Sequence, residues 1–254
     1  MTSSAQTKDS TTIPPFIRRH LTMPIFLILV CIGLYLYIGT KDLDSIEQRA
    51  ISLGNIFGRV VEHIQLAGLA TIVVVVLAVT TGILVTRPAL RRITPVAVNI
   101  ANIGQAIPSI GLLVLFAVLW TTGFRVAVLG LIAYAFLPVL RNTMVGLQQV
   151  EPSVIESARG MGMSKMATLF RIELPLAIPI MLAGIRTALI LAVGTATLAT
   201  FINAGGMGDI INAGISTGRI DTTLVVGAVL TAVLALTVDW LAGIAEDILR
   251  PKGL

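Results

Sequence analysis

Residues 66–86 read LAGLATIVVVVLAVTTGILVT, a run without a single charge. About 20 helical residues cross the roughly 30 Å hydrocarbon core of a bilayer, and this run has that length. Its valines are β-branched and in water would favour a strand. In lipid a lone segment must satisfy every backbone N–H and C=O internally, which selects a helix.

Working outward, comparable runs flank it on both sides. Pro24–Gly39 is charge-free and follows Arg18, Arg19 and His20, as the start of a secretory signal does, but no small-x-small cleavage pattern follows, so it reads as an uncleaved first helix. Ile93–Phe124 is charge-free over more than one span, and a third helix is expected from about Val96 to Trp120, bending near Pro108. Val126 to about Gln148, Leu176 to about Ala204 and Thr222 to about Leu249 give three more, the last followed by Pro251. The expected fold is all-α, a polytopic membrane bundle of about six helices.

Composition agrees. The chain has 254 residues, 56% hydrophobic and 12% charged, and a mean hydropathy of +0.94, whereas a soluble domain carries roughly 25% charged residues. The net charge of +5 is scattered between apolar runs, without a basic face or interleaved aromatics, so nucleic acid is not an expected partner. Cys31 lies alone inside the first apolar run, and His20 and His63 fall at membrane edges too far apart to share a metal, so no metal site is expected.

The basic residues instead read as topology signals. Lys8, Arg18, Arg19, Arg87, Arg91, Arg92, Arg141, Arg159, Lys165, Arg171, Arg250 and Lys252 fall on one side, against Lys41, Arg49, Arg59, Arg125 and Arg219 on the other. Both termini are therefore expected in the cytoplasm. Residues 1–22, rich in Ser and Thr, read as a flexible cytoplasmic tail, 23–60 as the first helix with its external loop, and 61–250 as the main transmembrane domain.

Residues 150–175 form the longest polar stretch inside the bundle. Pro152 suits the first turn of a short helix with Val154, Ile155 and Ala158 on one face, Glu156 and Arg159 on the other, and Gly160 and Gly162 ending it. Ser164 can cap a second short amphipathic helix through about Arg171, so that the stretch lies along the membrane surface.

Here the sequence resembles the permeases of binding-protein-dependent ATP-binding cassette importers of type I architecture. Their signature is Glu-Ala-Ala, three residues, Gly, nine residues, Ile, any residue, Leu-Pro; this chain has Glu156-Ser157-Ala158, Gly162, Ile172 and Leu174-Pro175, departing only at Ser157. Over roughly residues 60–250, Gly160-Met161-Gly162-Met163, Glu173 to Leu176, Ala183 to Thr187, Gly194 to Thr197 and Gly205-Gly206-Met207-Gly208-Asp209 look like the osmoprotectant branch, which imports glycine betaine, choline, carnitine or proline betaine. The resemblance implies a coupling helix over 153–162, with Glu156, Ser157, Ala158, Arg159, Gly160, Met161 and Gly162 seated in a separate ATPase dimer that holds the ATP and Mg. It also implies a second permease copy or homologue, an extracytoplasmic binding protein, and a bacterial plasma membrane location. A permease for an amino acid or other small solute is the alternative within the same superfamily.

Several polar residues fall inside the spans. Arg186 and Asp239 sit at matching depths and are expected to pair, either as a lock between helices or as a solute contact. Asn99, Asn102 and Gln105, with Thr195, Thr197 and Thr200, either line a hydrated path or join helices. The Gly205-Gly206-Met207-Gly208 segment reads as a flexible external turn that either docks the binding protein or simply reverses the chain. Aromatics are only 5% of the chain, so tight recognition of a quaternary ammonium is expected in another chain. No Gly-x4-Gly-Lys-Ser/Thr loop occurs, so this chain is not expected to be an enzyme and carries no cofactor of its own. An ion-coupled carrier would show an inverted repeat and midplane carboxylates, of which Asp239 is a single candidate.

Overall fold

The computed structural model describes residues 15–249, with side chains from residue 21. The expected tail over 1–14 and Pro251 lie outside the described residues. Residues 15–22 are helical rather than tail, because α1 runs Pro15–Gly39. The short α2 (Ser45–Ala50) opens with a capping box, in which Asp44 accepts from Ile46 and Glu47 while Glu47 reaches back to the Asp44 N–H. Those N–H groups, with Arg219 nearby, hold the Asp44 carboxyl below its ordinary 3.8.

Ser52 caps α3, Leu53–Thr86, whose 34 residues make a rod of about 51 Å at 1.5 Å per residue. That exceeds the roughly 30 Å of a bilayer core, and its second and third turns carry Arg59, Glu62 and His63. Next come α4 (Thr94–Ala106) and α5 (Ser109–Leu119). The single gently bent span expected here is a break of 98°. Pro108 forces its predecessor out of the helical region: Ile107 has ψ 133° and Pro108 ψ 130°, so two successive residues are extended and the helix stops.

After α6 (Phe124–Gln148) and α7 (Pro152–Gly160), the second surface helix is replaced by a continuation of the next span. The short α8 (Lys165–Thr168), capped by Ser164, runs through a π-turn, Leu169–Glu173, directly into α9 (Leu174–Ala196). Pro175 has no N–H to give the Arg171 carbonyl, and the register widens upstream instead of the helix ending. A 3-10 turn, Thr197–Ile202, leads to α10 (Gly208–Ser216), and a second π-turn, Ile220–Leu224, enters α11 (Val225–Leu249).

Five stretches are long and apolar enough to span a membrane, and the broken α4–α5 pair makes a sixth if counted as one crossing. The centre of the bundle is α3, α6 and α9. Buried residues of these helices form two layers, Leu66, Ala70, Leu131 and Val193 towards α10 and Val74, Ala78, Leu140 and Ala188 in the middle; a third, towards α7, joins Leu147 of α6, Leu169 of the π-turn, and Ala177 and Met181 of α9, with Val79 and Ile83 of α3 packed against it. Small residues set the helix spacing, as lipid supplies no hydrophobic drive between spans. A Cβ on Gly184 of α9 would stand 2.5 Å from that of Asn142 on α6. α1 lies outside this centre, packs along α11 and turns Ile25, Phe26, Ile28 and Leu29 outward.

Candidate functional site

At one end of the bundle α7 projects between α6 and α9. Of the seven residues expected to couple, Glu156, Ser157, Arg159, Gly160, Met161 and Gly162 are exposed and only Ala158 is buried. The helix closes with paired bonds: the Met163 N–H donates to Ala158 O at 3.2 Å and the Gly162 N–H to Arg159 O at 2.9 Å. Gly162 takes φ +85°, the left-handed position glycine fills in this C-terminal motif. It ends the helix conformationally, and among the described residues neither Glu156 nor Arg159 has an ion-pair partner.

Behind α7, Glu173 is 4% exposed and its Oε2 lies 2.7 Å from Nη1 of Arg87, just past the end of α3. The same guanidinium donates to Ile83 O and Thr86 Oγ1. The connection beyond α7 is thereby tied to α3 as well as to α9. The sequence marked Arg87 as a topology signal and Glu173 as the start of Glu-Leu-Pro-Leu, but gave no sign that the two pair.

The opposite end is a polar knot. Arg59 Nη1 lies 2.8 Å from Glu62 Oε2 and 2.7 Å from Asp209 Oδ2, and Thr200 donates to Asp209 Oδ1. Glu62 also accepts from the Gly206 N–H at 2.9 Å. His63, fully buried, bridges two elements: Nε2 donates to Val193 O at 2.9 Å and Nδ1 accepts from the Met207 N–H at 3.3 Å. A carbonyl on one nitrogen and an N–H on the other fix this neutral tautomer.

The glycine segment is accordingly held and not a flexible turn. Gly206 and Gly208 are buried and Gly205 half-buried. A Cβ on Gly208 would fall 1.9 Å from Thr197 O. Phe201 and Asn203 are what this end exposes beside it.

Arg186 Nε meets Asp239 Oδ1 at 2.6 Å, and its Nη1 meets Glu246 Oε2 at 3.3 Å. Glu246, two turns beyond Asp239 on α11, went unremarked in the sequence although the spacing of seven puts both on one face. The six expected path residues fall into two groups. Thr195 is buried, Thr197 donates to Gly194 O and Thr200 to Asp209. Asn99, Asn102 and Gln105 lie along α4, where Asn102 Oδ1 accepts from Arg141 Nη2 at 2.9 Å. Arg141, counted from sequence among the cytoplasmic-side charges near the end of its helix, stands within α6 seven residues before that end.

Comparison with known proteins follows the same lines. Residues 78–250 match the model of the family described as the binding-protein-dependent transport system inner membrane component. The chain is 37% identical over 201 residues to the choline transport system permease protein OpuBB of Bacillus subtilis, covering 79% of this chain and 91% of that one. It is 36% identical over 189 residues to the carnitine transport permease protein OpuCD of Listeria monocytogenes, covering 74% and 84%. It is 36% identical over 216 residues to the osmoprotectant import permease protein OsmY of Salmonella typhimurium, covering 85% and 90%. Among solved structures, an inward-facing MetNI methionine ABC transporter superposes with a TM-score of 0.67 at 25% identity, covering 77% of this chain and 96% of that chain.

Proposed function

The chain belongs to the family of binding-protein-dependent transport system inner membrane components, a multi-pass protein of the plasma membrane, and from that membership we propose that it passes a quaternary ammonium osmoprotectant, such as glycine betaine, choline or carnitine, through the membrane. The observation that carries the solute class is the 37% identity to a choline permease across 91% of that protein. Hydrolysis of ATP with Mg belongs to a separate ATPase pair, and a second copy or homologue completes the pore.

The α7 end, with both termini, faces the cytoplasm. α7 offers the ATPase an exposed ridge of Glu156, Ser157, Arg159, Gly160 and Met161 whose shape the Gly162 turn fixes. Movement of that ridge reaches α9 through the π-turn and α3 through Arg87–Glu173. The α10 end faces outward, where Gly205, Gly206 and Gly208 shape a rigid ledge and Phe201 and Asn203 present it to the loaded binding protein. Arg186, Asp239 and Glu246 lock α9 to α11.

The test is ATP-driven uptake of radiolabelled glycine betaine, choline and carnitine by vesicles holding this chain with the ATPase and binding protein encoded beside it. Uptake is expected for at least one of them, and Glu156→Lys is expected to abolish it while the chain stays in the membrane. Uptake of methionine or another amino acid instead would reassign the solute; uptake that follows an ion gradient without the ATPase would overturn the importer reading.

A further inference from the structure

Arg59, Arg87 and Arg186 each have a carboxylate within 4 Å: Glu62 and Asp209, Glu173, and Asp239 with Glu246. Among the described residues Arg141 has no such carboxylate, and unlike Arg125 at the first turn of the same helix it stands seven residues inside the end of α6. It is exposed, lies inside the α6 span, and among the described residues is held by a neutral amide, Asn102 Oδ1 at 2.9 Å. A guanidinium at that depth is costly against hydrocarbon, and such residues face the bundle interior or a water-filled cavity.

A cavity lies on the same helix faces, nearer the α7 end. Seven residues along α6 from Arg141 stands Gln148, and seven residues back along α4 from Asn102 stands Pro95; a spacing of seven returns to the same helix face. Gln148 and Pro95 both line a cavity of about 750 Å³, with Thr86, Arg91 and Thr94, at the α7 end of α3, α4 and α6. Arg141 and Asn102 do not themselves line the cavity but lie about 10 Å from it along the same faces of α6 and α4. Asn99, exposed on α4, lies one turn closer to the cavity than Asn102.

We propose that Arg141, oriented by Asn102, is a transient contact for the carboxylate of a zwitterionic quaternary ammonium solute on its way to the cytoplasm. The inference rests on the osmoprotectant reading and deepens it. Glycine betaine and carnitine carry a carboxylate that a guanidinium binds through charge-assisted hydrogen bonds, whereas choline ends in a neutral hydroxyl. Arg141 therefore discriminates among solutes by the end opposite the ammonium. Asn102 spends its carbonyl on the guanidinium and leaves the remaining N–H groups for the solute.

The experiment compares saturated uptake of glycine betaine and choline by the reconstituted complex, so that the binding protein's own preferences drop out. Arg141→Gln is expected to slow glycine betaine by about tenfold or more and to leave choline nearly unchanged, and Arg141→Lys is expected to restore much of the loss. Asn102→Leu keeps the charge but removes its tether, and shifts the same ratio in the same direction, so the contact is tested even where Arg141→Gln does not assemble. Equal loss of both solutes, or no change in either, overturns the carboxylate contact. A wild-type complex that takes up neither solute overturns the osmoprotectant reading instead.

Discussion

Gly208 and Gly58 show how differently one residue type acts in this chain. At Gly58, on the exposed face of α3, an added Cβ meets nothing within 4 Å, while at Gly208 it would sit 1.9 Å from Thr197 O. A backbone oxygen cannot swing aside as a side chain can, so Gly208→Ala must separate α10 from the 3-10 turn and is expected to cost about 3 kcal/mol, the upper end for overpacking. Gly58→Ala should be neutral or stabilising by up to about 1 kcal/mol, since alanine is the better helix former. Unfolding midpoints in one mild detergent check both; equal shifts would mean the 203–208 segment relaxes freely. Nothing in the Gly-Gly-Met-Gly string separates a loose turn from a clamped one. What clamps it are Arg59, Glu62 and His63, more than 140 residues away in sequence, as the Gly206–Glu62 and Met207–His63 bonds record.

At the scale of elements, the apolar runs were legible because bilayer thickness fixes their length, and α6, α9 and α11 stand near where those runs predict, while α3 begins thirteen residues before its charge-free run, at Leu53. The breaks were harder. Pro108 was visible, yet whether it bends a helix or ends one depends on its predecessor, and Ile107 taking the extended region decides it. Between α7 and α9 the error ran the other way: amphipathic spacing from Ser164 to Arg171 fits a surface helix, but Thr168 and Leu169 are buried and the helix continues. Arg87–Glu173 fastens this connection to α3. Removing one partner strands a charge, and because Arg87 is 31% exposed the cost should fall below the roughly 3–5 kcal/mol of a fully buried pair, at about 1–3 kcal/mol. A double-mutant cycle on Glu173→Leu and Arg87→Leu is expected to show the double variant less destabilised than the sum of the singles. Additivity within about 0.5 kcal/mol would mean that the two act independently.

Across the whole molecule, the transport core and the N-terminal unit are differently built. α3, α6 and α9 meet in three packed layers, whereas α1 packs along α11 and only 6% of its membrane window is buried. Its further ties are polar and exposed: Tyr37 donates to Asp221 O and, just past its end, Lys41 pairs with Asp221, while the α2 segment adds Asp44 with Arg219 and a buried bond from Thr222 to Glu47. Lipid can cover the α11 face that α1 leaves, and water screens exposed ion pairs. The family match begins at residue 78, within α3, and 77% of this chain covers 96% of the MetNI neighbour. A chain beginning at residue 43 behind a cleavable secretion signal keeps Asp44 and Glu47, and with them the α2 cap and its hold on the α11 entry. It is expected to insert, to unfold within a few degrees of the full chain, and to sustain ATP-driven uptake with its partners. A collapse of the unfolding midpoint, or stable insertion without uptake, would instead make α1 part of the moving machinery, with α11 and the Arg186–Asp239–Glu246 lock as the route by which it acts.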